Sequence, residues 1–195
     1  MGGMVRLHSN RPAMPRLTPR RLLLPLALSA LTGRQAKARN RAGRRWLWIC
    51  NTAGEEIAVT YRNENGWNQR ALARITWLFR DLRRTETMPV DPNLVELLSI
   101  LQEQWEYDEP LLLTSGFRTP ETNASLEGAA PASFHLQAQT ADLIVRRGRT
   151  AALAQNAWAL ANFRGWGGVG FYPDGGQGGF VHVDTGPLRG WTRFR

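Results

Sequence analysis

The chain has 195 residues, enough for one domain with a sizeable core and an appended segment. Its net charge of +9 is unevenly distributed, because residues 1–45 contain eleven Arg and Lys and no Asp or Glu. Residues 46–195 contain 14 basic and 16 acidic groups, which argues against a folded domain that binds nucleic acid through its own basic face. A basic N-terminal arm that binds nucleic acid stays open as an alternative.

The N-terminal region has the three parts of a secretory signal peptide. A basic start ends at Arg20-Arg21, and the apolar run Leu22 to Leu31 follows it. This run is far shorter than the ~20 residues that cross a bilayer. It leads to Ala36-Lys37-Ala38, a small-x-small cleavage pattern. We therefore predict export, and the paired arginines suggest the twin-arginine route. A short membrane-anchored or buried helix is the alternative.

The predicted organisation has three segments: a signal peptide over 1–38, a basic linker over 39–45 and a folded domain over 46–195. The mature chain is expected in the periplasm or cell envelope, as a monomer without a membrane span. The single cysteine, Cys50, cannot form an internal disulfide. Because it lies in the apolar run RWLWIC, we predict that it is a small core residue.

The first half of the body predicts a β-hairpin and two helices. The runs RWLWIC and EIAVTYRN are rich in β-formers, and Asn51-Thr52-Ala53-Gly54 joins them. The segment NQRALARITWLFRDLRR then has apolar residues at helical spacing: Leu72, Ile75, Leu78, Phe79 and Leu82. The next segment, DPNLVELLSILQEQW, opens with Asp91 as N-cap and Pro92 at the first helical position.

The second half predicts mostly strands. PLLLTSGF is a short buried strand ending at Gly116, and a loop rich in turn formers, RTPETNASLEGAAPAS, follows it. HLQAQTADLIV predicts a strand with an irregular start, and TAALAQNAWALANF predicts a helix capped by Thr150. GGVGFYP and GFVHVDTG predict two further strands. Because helices come early and strands late, we predict an α+β fold whose antiparallel sheet packs against several helices.

Two histidines in the body each lie near one of the few late aspartates. His135 precedes Asp142 by seven residues, which suits a loop or strand that doubles back, whereas His182 and Asp184 share one strand face. Zinc binds imidazole nitrogen and carboxylate oxygen, and a catalytic site uses three protein ligands plus water. Spacing alone leaves two interpretations open: hydrogen-bonded structural residues, or a zinc site with His135, Asp142 and His182 as ligands.

Three segments, TSGFRTPETN, SFHLQAQTAD and GFVHVDTG, occur in an order and at separations that resemble the LAS metallopeptidases. This superfamily contains the D-alanyl-D-alanine carboxypeptidases and related murein hydrolases, and the resemblance is closest to its murein endopeptidase K-like branch. The resemblance covers roughly residues 46–191. It implies a sheet that carries a zinc site and a zinc-dependent hydrolase acting on peptidoglycan stem peptides or cross-links. Endopeptidase action on 3–3 or 4–3 cross-links is favoured over removal of a terminal D-Ala.

The family pattern Ser-x-His-x-x-Gly-x-Ala-x-Asp matches this chain at Ser133, His135 and Asp142. Ala138 stands where the family has glycine, and Thr140 stands where it has alanine. Glycine gives conformational freedom to the turn that brings the aspartate to the metal. Alanine can still serve there if its φ stays negative.

The resemblance also implies roles for residues beside the metal. Arg118 is expected to face the zinc and to hold a substrate carbonyl or carboxylate. Its alternative role is a surface salt bridge. Ser133 and Asn123 are candidate substrate contacts, although ordering of their loop is the favoured role for both.

Many relatives supply the general base with a Glu or His shortly before the last ligand. Here Gly179 and Phe180 occupy those places. Asp184 is the candidate for the base or for a residue that orients His182. Asp174 is a weaker candidate. The departures from the family pattern leave one further alternative: a non-catalytic peptidoglycan-binding module.

Overall fold

The structure is a computed structural model that describes residues 43–145, 149–175 and 179–194. The predicted signal peptide and the start of the linker lie outside the described residues. Eight strands form one sheet in the order β3-β2-β1-β4-β5-β7-β6-β8. The strands are β1 (Arg45–Asn51), β2 (Glu56–Asn63), β3 (Gly66–Trp67), β4 (Leu111–Ser115), β5 (Thr140–Ile144), β6 (Trp166–Tyr172), β7 (Phe180–Pro187) and β8 (Arg189–Thr192).

The α+β class is confirmed, but the sheet is mixed and the predicted antiparallel sheet is wrong. Strand β1 pairs in parallel with β4, and β6 pairs in parallel with β8. The connection from the β1–β2 hairpin to β4 passes through two helices, and a crossover of that length permits parallel pairing. At the other edge, one residue, Leu188, separates β7 from β8. The chain there crosses the start of β6 to reach its far side.

Five helical segments accompany the sheet. They are α1 (Gln69–Leu78), α2 (Pro92–Glu103), α3 (Pro120–Ala124), a 3₁₀ helix (Phe134–Gln137) and α4 (Thr150–Arg164). None of the helices in the described part of the chain is long and apolar enough to cross a membrane.

Helix ends test the sequence predictions most directly. The predicted cap of α2 is confirmed, because the Asp91 side chain accepts a hydrogen bond from the Asn93 N–H at 2.8 Å. The predicted cap of α4 is wrong: Thr150 is the first helical residue, and Arg149 precedes it without a side-chain cap bond. Helix α1 ends at Leu78, because the chain then turns back on itself between Asp81 and Glu86. Leu82 lies in this turn and is exposed, so it does not extend the apolar face of the helix.

The hydrophobic core lies between the helices and one face of the sheet. Along β7, Val181 and Val183 are fully buried in this core. Alternate residues of a strand point to opposite faces, so His182 and Asp184 lie on the other face. Cys50 is buried, as predicted. On the second face, Trp46 and Trp48 of β1 form a separate buried cluster with Tyr107, whereas β5 and β7 carry the polar residues of the site.

Candidate metal centre

Three elements bring His135, Asp142 and His182 together. His135 lies on the 3₁₀ helix, Asp142 on β5 and His182 on β7. Asp142 and His182 are directly opposite each other in the antiparallel β5–β7 pair, so sheet register alone makes them neighbours. Each of the three residues offers one ligand atom, and these atoms all lie within 4.8 Å of one another. The group can hold a metal ion.

His182 is held at both ring nitrogens. Its Nδ1 lies 2.8 Å from Oδ1 of Asp142, and its Nε2 lies 3.0 Å from Oδ2 of Asp184. The Thr140 hydroxyl donates to the Val183 carbonyl at 2.7 Å and lies 3.1 Å from Nε2 of His182. The threonine that replaces the family alanine therefore takes part in orienting the ring.

His135 is held by the backbone at one nitrogen only. Its Nδ1 lies 2.6 Å from the Gly116 carbonyl oxygen, which can only accept a hydrogen bond, so Nδ1 carries the hydrogen. Its Nε2 faces the carboxylate and lies 3.3 Å from Oδ2 of Asp142. At position 116 a side chain would collide with the backbone of Phe79, which explains the glycine there.

The turn that carries His135 adopts a conformation that favours glycine. Ser133 caps the 3₁₀ helix, and its hydroxyl accepts from the His135 N–H at 3.3 Å. Ala138 ends this helix with φ 51° and ψ 32°, in the left-handed region. The condition of a negative φ is therefore not met, and the alanine costs about 1–2 kcal/mol of backbone strain.

The electrostatics of the site favour positive charge between the carboxylates. Burial would raise the pKa of Asp142, but the neighbouring His135 and His182 hold that pKa well below its usual range. Burial would lower the pKa of His182, but hydrogen bonds to Asp142 and Asp184 raise that pKa to about 9. A bound cation would satisfy the same carboxylate field.

Asp184 is fully buried and has a full set of donors. Besides His182, it accepts from the N–H groups of Gly168 at 3.0 Å and Gly186 at 2.8 Å. Arg189 contacts both of its oxygens, at 2.6 and 3.2 Å. A side chain at Gly168 would collide with this carboxylate and guanidinium. Burial raises the pKa of Asp184, but these hydrogen bonds bring it below its usual range. A carboxylate has about four lone-pair positions, so these four donors fill the hydrogen-bonding capacity of Asp184.

Arg118 makes its ion pair inside the site. Its Nη2 donates to Oδ2 of Asp142 at 2.6 Å, and its Nε donates to the Ser115 hydroxyl at 2.8 Å. Asn123 is buried in α3 and donates to the Ala130 carbonyl at 3.0 Å, within the loop that precedes His135. Asp174 is exposed in the turn after β6. The structure thus places Arg118 beside the candidate ligand Asp142. Asn123 and Ser133 instead hydrogen-bond to backbone atoms of their own loop.

The donor set fits zinc. Two imidazole nitrogens and one carboxylate form a common catalytic zinc set. A metal-bound histidine usually donates its other N–H to a carbonyl or carboxylate. His135 has the Gly116 carbonyl at that position, and His182 has the Asp184 carboxylate.

A family model described as peptidoglycan L,D-endopeptidase MepK matches residues 39–191. The chain belongs to this family. The peptidoglycan L,D-endopeptidase MepK of Escherichia coli K12 is 35% identical over 142 residues, which cover 71% of this chain and 74% of that protein. The probable peptidoglycan L,D-endopeptidase MepK of Haemophilus influenzae is 29% identical over 143 residues, covering 71% and 73%. The predicted resemblance is confirmed.

The contacts of Thr140 and Arg189 in this MepK-family site were not predicted from the sequence. Thr140 and Asp142 are two residues apart in a strand, so the alternation of side chains could have placed the Thr140 hydroxyl beside the ligands. Arg189 had no comparable signal, because its approach to Asp184 depends on the crossing from β7 to β8.

Proposed function

We propose that this chain is an exported, zinc-dependent murein endopeptidase that hydrolyses peptide cross-links in peptidoglycan. Membership of the MepK family confirms the predicted class, a peptidoglycan endopeptidase. The observation that carries the metal proposal is the convergence of His135, Asp142 and His182 within 4.8 Å. The hydrogen bonds on the outer nitrogens of both histidines support it.

In this proposal His135 binds through Nε2, His182 through Nδ1 and Asp142 through its carboxylate. When bound, zinc polarises the scissile carbonyl and lowers the pKa of a bound water. Gly116 and Asp184 hold the two rings in the required tautomers by accepting their other N–H groups. Asp184 then acts as a positioning residue, because its oxygens are buried and already bonded to four donors.

Arg118 is proposed to hold the oxygen of the scissile carbonyl as negative charge develops on it. Its guanidinium lines a cleft that also reaches Asp142, and Ser115 anchors its Nε at 2.8 Å. Replacing it by alanine should leave the bound zinc and the fold in place while kcat falls by about 100-fold or more. Retention of full activity with one zinc per chain would assign the oxyanion contact to another group.

The scissile bond is proposed to be the L,D bond that the relatives' names describe. A 3–3 cross-link joins an L-centre to a D-centre, whereas a 4–3 cross-link joins two D-centres. Purified sacculi containing both types would be digested with the zinc-loaded chain, and the fragments identified by mass spectrometry. Loss of 3–3 dimers is expected, with 4–3 dimers and terminal D-Ala left in place.

A chelated sample and a zinc-restored sample serve as controls for that digestion. Chelation should stop the release of fragments, and added zinc should restore it. Binding to sacculi without any fragment would contradict the proposal and favour the peptidoglycan-binding module.

Export is proposed from the basic, apolar and small-x-small pattern of residues 14–38. N-terminal sequencing of the periplasmic protein should find a mature chain that begins near Arg39. An intact N-terminus in a cytosolic pool would contradict export without affecting the proposed chemistry.

A further inference from the structure

Asp142 of the candidate metal centre lines a cleft that also includes the segment after α1. The cleft has a volume of about 270 Å³, and its charged lining residues are Asp142, Arg118, Arg80, Asp81 and Arg83. A peptide bound in this cleft beside Asp142 would lie close to these charged side chains. The charges that are not already neutralised by a protein partner are therefore the ones available to a substrate.

Two of the three cleft arginines already have carboxylate partners. Arg80 makes two hydrogen bonds to Glu55, at 2.7 and 3.1 Å. Arg118 pairs with Asp142 at 2.6 Å.

The second aspartate of the cleft, Asp81, already accepts hydrogen bonds from the protein. Asp81 is buried, and its Oδ2 accepts from the N–H and the hydroxyl of Thr119 at 2.9 and 3.0 Å. Its Oδ1 accepts from the backbone N–H of Arg83 at 3.0 Å. The Asp81 carboxylate is thus bonded to its own segment and to Thr119.

Arg83 is the cleft arginine that has no carboxylate partner among the described residues. Its side chain is exposed, and its Nη1 donates to the Ser125 hydroxyl at 3.1 Å. Within the described part of the chain, no carboxylate lies within 4.0 Å of its guanidinium. Ser125 is neutral, so its hydrogen bond orients the guanidinium without removing the charge.

The backbone beneath Arg83 is preorganised. The Asp81 N–H donates to the Glu86 carbonyl at 2.9 Å, and the Thr85 N–H donates to the Asp81 carbonyl at 2.7 Å. Asp81 Oδ1 also lies 3.4 Å from the Arg84 N–H. A ligand that binds Arg83 does not have to order this turn, which lowers the entropic cost of binding.

We propose that Arg83 is a specificity-determining residue that binds a free carboxylate of the stem peptide when a cross-link lies in the cleft. The proposal rests on the proposed function. Stem peptides carry free carboxylates close to their cross-links, and a guanidinium binds a carboxylate through two parallel hydrogen bonds. Arg118 then contacts the reacting carbonyl, while Arg83 binds the free carboxylate of the adjacent stem-peptide residue.

The test uses the zinc-loaded full chain and two forms of one probe. One is a 3–3 cross-linked peptide dimer with free carboxylates, and the other is the same dimer with those carboxylates amidated. Arg83→Ala should raise KM for the free-acid dimer by about 10-fold and change kcat by less than about two-fold, because the lost contact binds ground state and transition state alike. For the amidated dimer the same substitution should have little effect. Arg83→Lys should recover part of the loss.

Arg84→Ala is the matched control, because Arg84 is the next residue, is exposed and has the same charge, but is not part of the cleft wall. It should leave both KM values within about two-fold of the unsubstituted chain, which excludes a general effect of net charge. Equal losses for Arg83→Ala on both dimers, or no loss on either, would overturn the proposal.

A binding measurement separates this proposal from the proposed function. The uncross-linked stem tripeptide has the free carboxylates but no cross-link to cut, and its Kd can be measured by calorimetry. Arg83→Ala should weaken it about 10-fold, and Arg84→Ala should not. If the dimers are never cut but this difference persists, the endopeptidase proposal fails and the carboxylate site stands. If the dimers are cut but the tripeptide binds both variants equally, the carboxylate site fails.

Discussion

His182 and His135 offer the same imidazole to the same centre from two regions that are built differently. His182 lies within β7, where Asp142 of β5 is opposite it on one side and Gly170 of β6 on the other. His135 lies on a single 3₁₀ turn, where its ring is held by one backbone carbonyl, that of Gly116. The strand histidine is placed by two ladders of backbone hydrogen bonds, and the turn histidine by local conformation.

The two halves of the site are therefore sensitive to different kinds of substitution. Around His182 the buried side chains of Asp184 and Thr140 form a polar network with the partly exposed Arg189, so substitutions there act through lost hydrogen bonds. Around His135 the decisive groups are backbone atoms, so the effective substitutions are those that change φ. Substitutions of Asp142, Asp184 and Ala138, together with a change of pH, probe the two halves separately and at the residue that links them.

Asp142→Ala should have the largest effect, because Asp142 contacts both histidines and belongs to both regions. We expect loss of bound zinc and loss of activity well beyond the roughly 100-fold that removal of an outer partner costs. Zinc content by atomic spectroscopy and turnover of cross-linked dimers measure the two losses. One zinc per chain in Asp142→Ala would contradict its role as a ligand.

Asp184→Asn tests the strand region alone. The amide keeps the shape of the carboxylate but introduces an N–H₂ group among donors, so His182 should lose its acceptor or the donors should be displaced. We expect zinc affinity to fall about 10- to 100-fold, with activity recovered in excess zinc. Competition with a chromophoric chelator measures the affinity.

The matching control is Asp174→Asn, an exposed carboxylate in the turn after β6. It should leave zinc affinity unchanged. If Asp184→Asn keeps its zinc affinity but stays inactive in excess zinc, Asp184 is the general base after all. If only Asp174→Asn is inactive, the base is Asp174.

The stability of the metal-free protein should depend on pH through His182, in the strand region. The pKa of His182 is raised from 6.5 to about 9, so its charge stabilises the fold fully below pH 6.5, and this stability is lost as pH rises towards 9. The expected loss is about 3 kcal/mol. Denaturant titrations of the chelated protein at pH 6 and pH 9 measure it. A zinc-loaded sample should lose less, because a metal-bound imidazole is already neutral. Equal stability of the chelated protein at both pH values would contradict the prediction.

The smallest effect should come from the turn region. Ala138→Gly removes left-handed strain of about 1–2 kcal/mol, and the lost methyl burial and the added chain entropy offset most of that gain. Ala141→Gly is the control, because Ala141 is also fully buried but has a negative φ. It should destabilise by about 1–2 kcal/mol, while Ala138→Gly should not. Equal free energies of unfolding for the two variants would show that Ala138 is unstrained.

Several elements could be predicted because their signals are local. The β1–β2 hairpin follows from two β-rich runs and a turn, and the start of α2 follows from Asp91 and Pro92. The cap of α4 and the direction of β4 could not be predicted in this way. Thr150 has the right side chain for a cap but lies one residue inside the helix. The parallel pairing of β4 with β1 joins residues about 60 positions apart, which no local pattern encodes.

Residue types and their order along the chain set the chemistry available to this protein: two imidazoles, one carboxylate between them, an arginine at 118 and a family pattern that orders them. Residue identity and order are sufficient for that, because ligand preference belongs to each side chain. Tertiary structure decided which ring nitrogens of the two histidines lie beside Asp142 and that Asp184 is already bonded to four donors. It also decided that Arg83 lines the same cleft as Asp142 with no carboxylate within 4.0 Å among the described residues. These depend on strand register and on contacts between distant segments, and their energies exist only once the sheet has formed.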